Sequence, residues 1–279
     1  MTATLRTLVG VQLGTGASVV NIPVQVVNLA QNPEWLKLKA TSSVNNDLTA
    51  LTKLMPELEL ETHDIKGLLS FFNNQIYKVD TCKFYMGTFA STPTDNLFYS
   101  KTGVLVAIIN EAVIYLDKIS GDIGEPLTAT FKVRGSAIEV DTQDITSFAV
   151  THSAVSTIST VTFGANVVGI RNLDFSTNIE FYDHYDENID PSVSAITNVD
   201  IQVKLRLLVD DFLATQALET ATDFTLNLKK YQSFGAPTTG GTITLGQCAV
   251  NADTLTTQIG EVATAEVTLL PKTIAFALA

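Results

Sequence analysis

Glu57-Leu58-Glu59-Leu60-Glu61 alternates acid and leucine, placing three carboxylates on one face of a strand and two leucines on the other. Immediately downstream, Asp64 stands where a helix N-cap belongs. Ile65, Leu68, Leu69 and Phe72 then recur at helical spacing, which predicts a short amphipathic helix from Ile65 to about Asn73. The same succession returns later: Ile201-Gln202-Val203-Lys204-Leu205-Arg206-Leu207 alternates with period two, and Leu208 to about Leu218 is the matching helix candidate. Two long apolar segments, Gly103 to Ile119 and Gly241 to Leu255, each lead through a polar turn into Ile-Gly-Glu and a final alternating strand. In the first of these strands Thr128, Thr130, Lys132 and Arg134 oppose Leu127, Ala129, Phe131 and Val133; in the second, Thr264, Glu266 and Thr268 oppose Ala265, Val267 and Leu269. Abundant Thr, Val and Ile with recurrent alternation predict a mainly β protein with short helices.

The recurrence extends to the residues themselves. Gly16-Ala17-Ser18-Val19-Val20-Asn21-Ile22 returns as Gly164-Ala165-Asn166-Val167-Val168-Gly169-Ile170, keeping five of seven residues at an offset of 164 − 16 = 148. Ile123-Gly124-Glu125 with Thr128-Ala129 returns as Ile259-Gly260-Glu261 with Thr264-Ala265, again five of seven, at 259 − 123 = 136. Two matches in the same order at nearly half the 279-residue length point to a tandem duplication. The chain therefore divides into a first copy, 1–147, and a second, 148–279, each expected to be a β-sandwich or barrel with one flanking helix. Each is large enough for its own core.

Composition then narrows the class. The chain is 46% hydrophobic and 16% charged, too apolar for disorder and sparing enough of charge to suggest surface hidden in subunit contacts. Seventeen basic against 29 acidic residues give a net charge of −12, which argues against binding nucleic acid through its phosphates. With Asp144 counted in the first half, that half has 11 basic and 15 acidic residues and the second 6 and 14, so both halves are acidic. Cys82 and Cys248 sit one per copy, outside any CxxC or metal spacing, and are expected to be buried thiols. The N-terminus lacks signal-peptide features, and the apolar run from Gly103 to Leu116 is broken by Asn110 and Glu111, so a soluble, unsecreted protein is expected.

Candidate chemistry is sparse. Leu13-Gly14-Thr15-Gly16-Ala17 lacks the third glycine and downstream acid of a dinucleotide loop and reads as a turn. The acidic stretch from Asp183 to Pro191 lacks a calcium loop's central glycine and terminal glutamate and reads as a solvated loop. Three histidines, at 63, 152 and 184, and the absence of GxxxxGK[ST], HExxH and GxSxG motifs give no support to an enzyme, and no cofactor or metal is expected. Asn32 to Asn46, which holds the only tryptophan, Trp35, and Ser233 to Thr242 read as extended surface segments, with Trp35 a candidate core or interface anchor. The most useful difference between the copies is that Glu57, Glu59 and Glu61 on the polar face of the first correspond to Gln202, Lys204 and Arg206 in the second. These are either two separate solvated faces or faces that meet in a ring of alternating copies, where opposite charge sets the order.

The strand-then-helix from Glu57 to Asn73, the long strands turning at Ile-Gly-Glu from Gly103 to Val133, and their echoes at Ile201 to Leu218 and Gly241 to Leu269 together resemble the tail tube proteins of long-tailed bacteriophages. The resemblance is one of pattern and length over most of both copies. It implies a structural virion protein whose chains, three per ring in the duplicated variants, stack into a hollow tube beside other tail proteins. DNA passes through such a tube without specific binding, and neither membrane nor cofactor is involved. An acidic wall suits that passage through like-charge repulsion, with Glu57, Glu59 and Glu61 as candidates for the lumen as well as for the contact between copies. A baseplate or distal tail protein and a capsid decoration protein share this class, while a sliding-clamp ring would need basic helices that the sequence lacks. If opposite charge orders the copies, Lys204→Glu with Arg206→Glu impairs assembly without unfolding the subunit, as read by sedimentation and circular dichroism; normal assembly of the double variant overturns that role.

Overall fold

The computed structural model describes residues 6–16, 19–30, 34–38, 48–53, 56–94, 97–135, 137–145, 155–185, 193–208, 221–231, 236–256 and 264–279. The chain is mainly β, with one helix among the described residues. In the first half β1 (Arg6–Leu13), β2 (Val20–Ile22), β3 (Val26–Ala30), β4 (Glu34–Leu38), β5 (Leu48–Lys53) and β6 (Glu57–Thr62) precede α1 (Ile65–Phe72). After it come β7 (Tyr77–Thr94), β8 (Leu97–Tyr99), β9 (Val104–Asp122), β10 (Thr128–Arg134) and β11 (Glu139–Gln143). The second half comprises β12 (Val155–Phe163), β13 (Asn166–His184), β14 (Val193–Leu208), β15 (Phe224–Tyr231), β16 (Thr238–Gly246), β17 (Ala249–Thr256), β18 (Thr264–Leu270) and β19 (Thr273–Leu278).

Alternation in the sequence becomes alternation in burial. Leu58, Leu60 and Thr62 of β6 are buried while its three glutamates are half-buried, and Ala129, Phe131 and Val133 of β10 are buried opposite half-buried Thr130, Lys132 and Arg134. Asp64 caps α1 by accepting from the Gly67 amide at 3.0 Å, and left-handed Asn73 (φ 48°) ends it, its N–H reaching the Leu69 carbonyl. The helix buries Ile65, Leu68, Leu69, Phe71 and Phe72. Each such large apolar side chain contributes about 1.5–3 kcal/mol when fully withdrawn from water.

All pairings are antiparallel. In the first half β1 joins β2 and β7, β7 joins β9, β9 joins β10 and β11, β10 joins β6, and β6 joins β3. Only Pro23 to Gln25 separates β2 from β3, so the sheet curls until this circuit of neighbours closes. In the second half β12 joins β13 and β15, β15 joins β16, β16 joins β19, β13 joins β14, β14 joins β18, and β18 joins β17. The halves meet where β9 pairs with β13 over Asn172↔Asp122 to Ser176↔Lys118. One core of buried residues runs through both, from Phe72, Leu116 and Phe131 to Phe163, Phe175 and Phe224. A second contact sets β19 against the helix end, with the Phe276 amide donating to Asn74 Oδ1 at 2.8 Å.

Several expectations are corrected. The apolar segment Gly241 to Leu255 is two strands, β16 and β17, because Gln247 adopts a left-handed conformation (φ 51°) that ends the first. Leu208 ends β14 opposite Thr264 instead of opening a helix; residues 209–218 lie outside the described residues. Residues 238–242 of the extended segment belong to β16, which pairs with β15, and Gly240 and Gly241 let it approach closely: a Cβ on Gly240 would sit 2.7 Å from the Lys229 carbonyl carbon. Thr268, on the polar side of β18 with Thr264 and Glu266, is buried, with Lys204 of β14 and Asn251 of β17 opposite it. Asp64→Ala is expected to lower stability by about 1 kcal/mol through loss of the cap, measured as a shift of the urea midpoint at unchanged slope.

Candidate functional site

The eight strands β3-β6-β10-β9-β13-β14-β18-β17 form a continuous antiparallel sheet across both halves. Period-two alternation sends one side of each strand to the core, which leaves the other side as a polar face shared by the two halves. Every charged residue expected at a contact or lumen falls on this sheet.

On β6 and β10, Glu57 lies opposite Arg134, Glu59 opposite Lys132 and Glu61 opposite Thr130. Lys132 Nζ is 3.8 Å from Glu59 and 3.3 Å from Asp117 of β9. Across the seam Lys118 meets Asp174 at 3.3 Å, and Asn172 Nδ2 donates to Asp122 at 2.8 Å. On β14, Lys204 lies opposite Asp174 on one side and Thr268 on the other, Arg206 lies opposite Asn172 and Glu266, and Gln202 lies opposite Ser176. Lys204, Arg206, Asp174 and Glu266 line a shallow cleft of about 280 Å³. The structure thus brings Gln202, Lys204 and Arg206 together on β14 and Glu57, Glu59 and Glu61 together on β6, with β10, β9 and β13 between the two sets. Exposed pairs of this kind contribute about 0–1 kcal/mol each; they set local order more than stability.

A tighter polar cluster escaped the sequence reading. Arg134 donates to Asp183 of β13, stacks 4.3 Å over the Phe181 ring, and Phe181 in turn lies 5.5 Å from Tyr115. Burial, reinforced by nearby Glu57 and Asp117, pushes the Tyr115 hydroxyl well above its usual range. Arg134 was visible as a polar-face residue, but a partner 49 positions away leaves no local signal. Asp183 and His184 belong to β13 and not to an acidic loop, because β13 pairs with β14 as far as His184↔Val193. Asp183 oxygens also accept from Ser194 at 2.7 Å; residues 186–191 lie outside the described residues.

Trp35 falls within β4, opposite Leu51 of β5, and its side chain lies outside the described part. His63 Nδ1 sits 3.0 Å from the Leu127 carbonyl and 3.3 Å from Thr128 Oγ1, tying the end of β6 to the start of β10; His152 lies outside the described residues. Among the described residues no three His, Cys, Asp or Glu side chains gather as a metal site, and no helix is long and apolar enough to cross a membrane. Burial pushes the Cys82 thiol up to about 12, and burial with nearby Asp223 pushes Cys248 up to about 11, so neither is a thiolate at neutral pH.

No protein-family model matches the chain, and no curated protein matches it. The raised thiols give a signed pH dependence. Folding holds both protonated, so their contribution is complete below the ordinary thiol value of 9.0 and is lost as pH climbs from there through about 11 and 12. The urea midpoint is expected to fall over that alkaline interval, and Cys82→Val to flatten the fall; an unchanged slope in the variant overturns the assignment.

Proposed function

We propose that the chain is a structural subunit, not an enzyme, that assembles with copies of itself into stacked rings forming the hollow tail tube of a long-tailed bacteriophage. The observation that carries this reading is that the two halves have corresponding strands in corresponding pairings and lie edge to edge in one sheet, so a single chain already resembles two neighbouring members of a ring.

The correspondence supports a tandem pair of domains, 1–147 and 148–279. Seven of the nine pairings described in the first half have a counterpart in the second, with β2 and β3 together matching β13, and β9 matching β16 and β17, while β4–β5 and β7–β8 have no separate counterpart among the described residues. Registers match as well: Val11↔Ile22 shifted by 148 falls on Ser159 and Ile170, in line with the observed Thr160↔Gly169. The hairpin turns use left-handed Gly16 (φ 60°) and Gly164 (φ 55°), where a side chain would be strained. The left-handed residues Glu111 (φ 48°) and Gln247 (φ 51°) are likewise 136 positions apart.

Three such chains would complete a ring of six similar domains, in contact with other tail proteins within the virion. The net charge of −12 suits a wall past which DNA slides without binding. A sliding clamp is disfavoured, because α1, the one helix described, carries Lys66 as its only basic residue.

Negative-stain electron microscopy of the purified chain at rising concentration tests this. The expected result is hollow tubes or stacked rings with three strong and three weaker lobes. Particles that remain monomeric at the highest concentration overturn self-assembly, and closed shells or sixfold-equal rings overturn the duplicated tube.

A further inference from the structure

The shared sheet ends in two open edges. Among the described residues β3 pairs with β6 alone and β17 pairs with β18 alone. An unpaired strand edge carries a row of free N–H and C=O groups and is a template for another strand. These two edges are matched to each other by the internal repeat, because β17 is the counterpart of β9 and β3 is the counterpart of β13. The pairing already made between β9 and β13 inside the chain is therefore the pattern for a pairing that the chain cannot make with itself.

The ladders fix that pattern residue by residue. In the first half Ala129 faces Ile119 and Phe131 faces Leu116; in the second Ala265 faces Leu255 and Val267 faces Ala252, every residue being 136 positions later. Both ladders slip at the same place, leaving Asp117 and Asp253 as the extra residue of the bulge. On the other edge, Leu29 faces Leu58 as Phe175 faces Val203, so Asn28, Leu29 and Ala30 stand where Asp174, Phe175 and Ser176 stand in the second half.

We propose that β17 of one chain pairs antiparallel with β3 of a second copy of this chain, in the register of the internal seam. Phe175↔Ile119 becomes Leu29↔Leu255, Asp174↔Ser120 becomes Asn28↔Thr256, and Ser176↔Lys118 becomes Ala30↔Thr254. The contact is head-to-tail, so repeating it builds a ring where the rotation between chains closes and an open helical array where it does not. It deepens the tandem reading above and rests on it.

Two differences between the seams give the contact its own character. The internal seam carries the Lys118–Asp174 ion pair, while the equivalent positions Thr254 and Asn28 are neutral. Association through the outer seam is accordingly weakly sensitive to salt, since it has no such pair to screen. Over the internal seam the β13–β14 hairpin reaches back to the first half, where Arg134 receives Phe181 and Asp183. The second-half counterpart of Arg134 is Leu270, a large apolar side chain 40% exposed, and the first-half counterpart of the hairpin is β4–β5, which bears Trp35. In the ring this hairpin lies at Leu270 of the adjoining chain, where the internal seam has Arg134, so the ionic contact of the internal seam is not repeated.

Site-directed crosslinking tests the register. Asn28→Cys and Thr256→Cys are made on separate chains, mixed at concentrations that permit assembly, and oxidised briefly. Opposed positions on neighbouring antiparallel strands have Cα atoms about 4.5–5.5 Å apart, within reach of a disulfide. The expected product is a crosslinked dimer formed by the mixture and by neither variant alone, while Asn28→Cys with Ser194→Cys, an exposed residue off both edges, gives none. Native Cys82 and Cys248 are buried and do not contribute. Rings or tubes without the 28–256 crosslink overturn this pairing and leave the tube reading standing. The crosslink in oligomers that never form tubes upholds the pairing and overturns the tube. Circular dichroism confirms folding of both variants, and folded variants that remain monomeric without crosslinking overturn the pairing.

Discussion

The pairing of β9 with β13 is the constraint on which the arrangement of both halves depends. Every backbone N–H and C=O withdrawn from water needs a partner, and within a curled sheet the neighbouring strands supply most of them. Strands β9 and β13 are each 19 residues long, far beyond the five or six typical of a strand. Each outruns its own neighbours. The end of β9 beyond its turn at Glu111 serves β10 on one side and β13 on the other, so it is shared between the halves and holds them as one body around a common core.

Charge follows the ladders rather than the halves. In the first half the acids lie on β6 and the bases on β10; in the second the bases lie on β14 and an acid, Glu266, on β18. What the two halves share is opposite charge across neighbouring strands, with the signs exchanged. Glu59 and Lys132 are partners within one sheet, as Arg206 and Glu266 are cross-strand neighbours, so much of the contrast between Glu57, Glu59, Glu61 and Gln202, Lys204, Arg206 answers to partners inside the chain. In the proposed ring, order between chains then rests mainly on which edges fit.

Several groups with chemical potential among the described residues are likewise committed to structure. His63 ties two strands, Asp64 caps the helix, Asp183 holds Arg134 and Ser194, and the two thiols are kept protonated by burial.

The sequence by itself determined which face of each strand is buried, because period-two alternation in β6 and β10 and the helical spacing after Asp64 are local properties of side-chain direction. It also carried the internal echo, down to the turn glycines at 16 and 164. Only the tertiary structure decided which strands are neighbours: the break at Gln247, the passage of β9 through left-handed Glu111, the strand where an acidic loop was expected at Asp183, and the seam itself. Alternation specifies a face but not a partner, and the partner of an antiparallel strand is chosen by contacts tens of residues away, where one bulge or one left-handed residue resets the register of everything that follows.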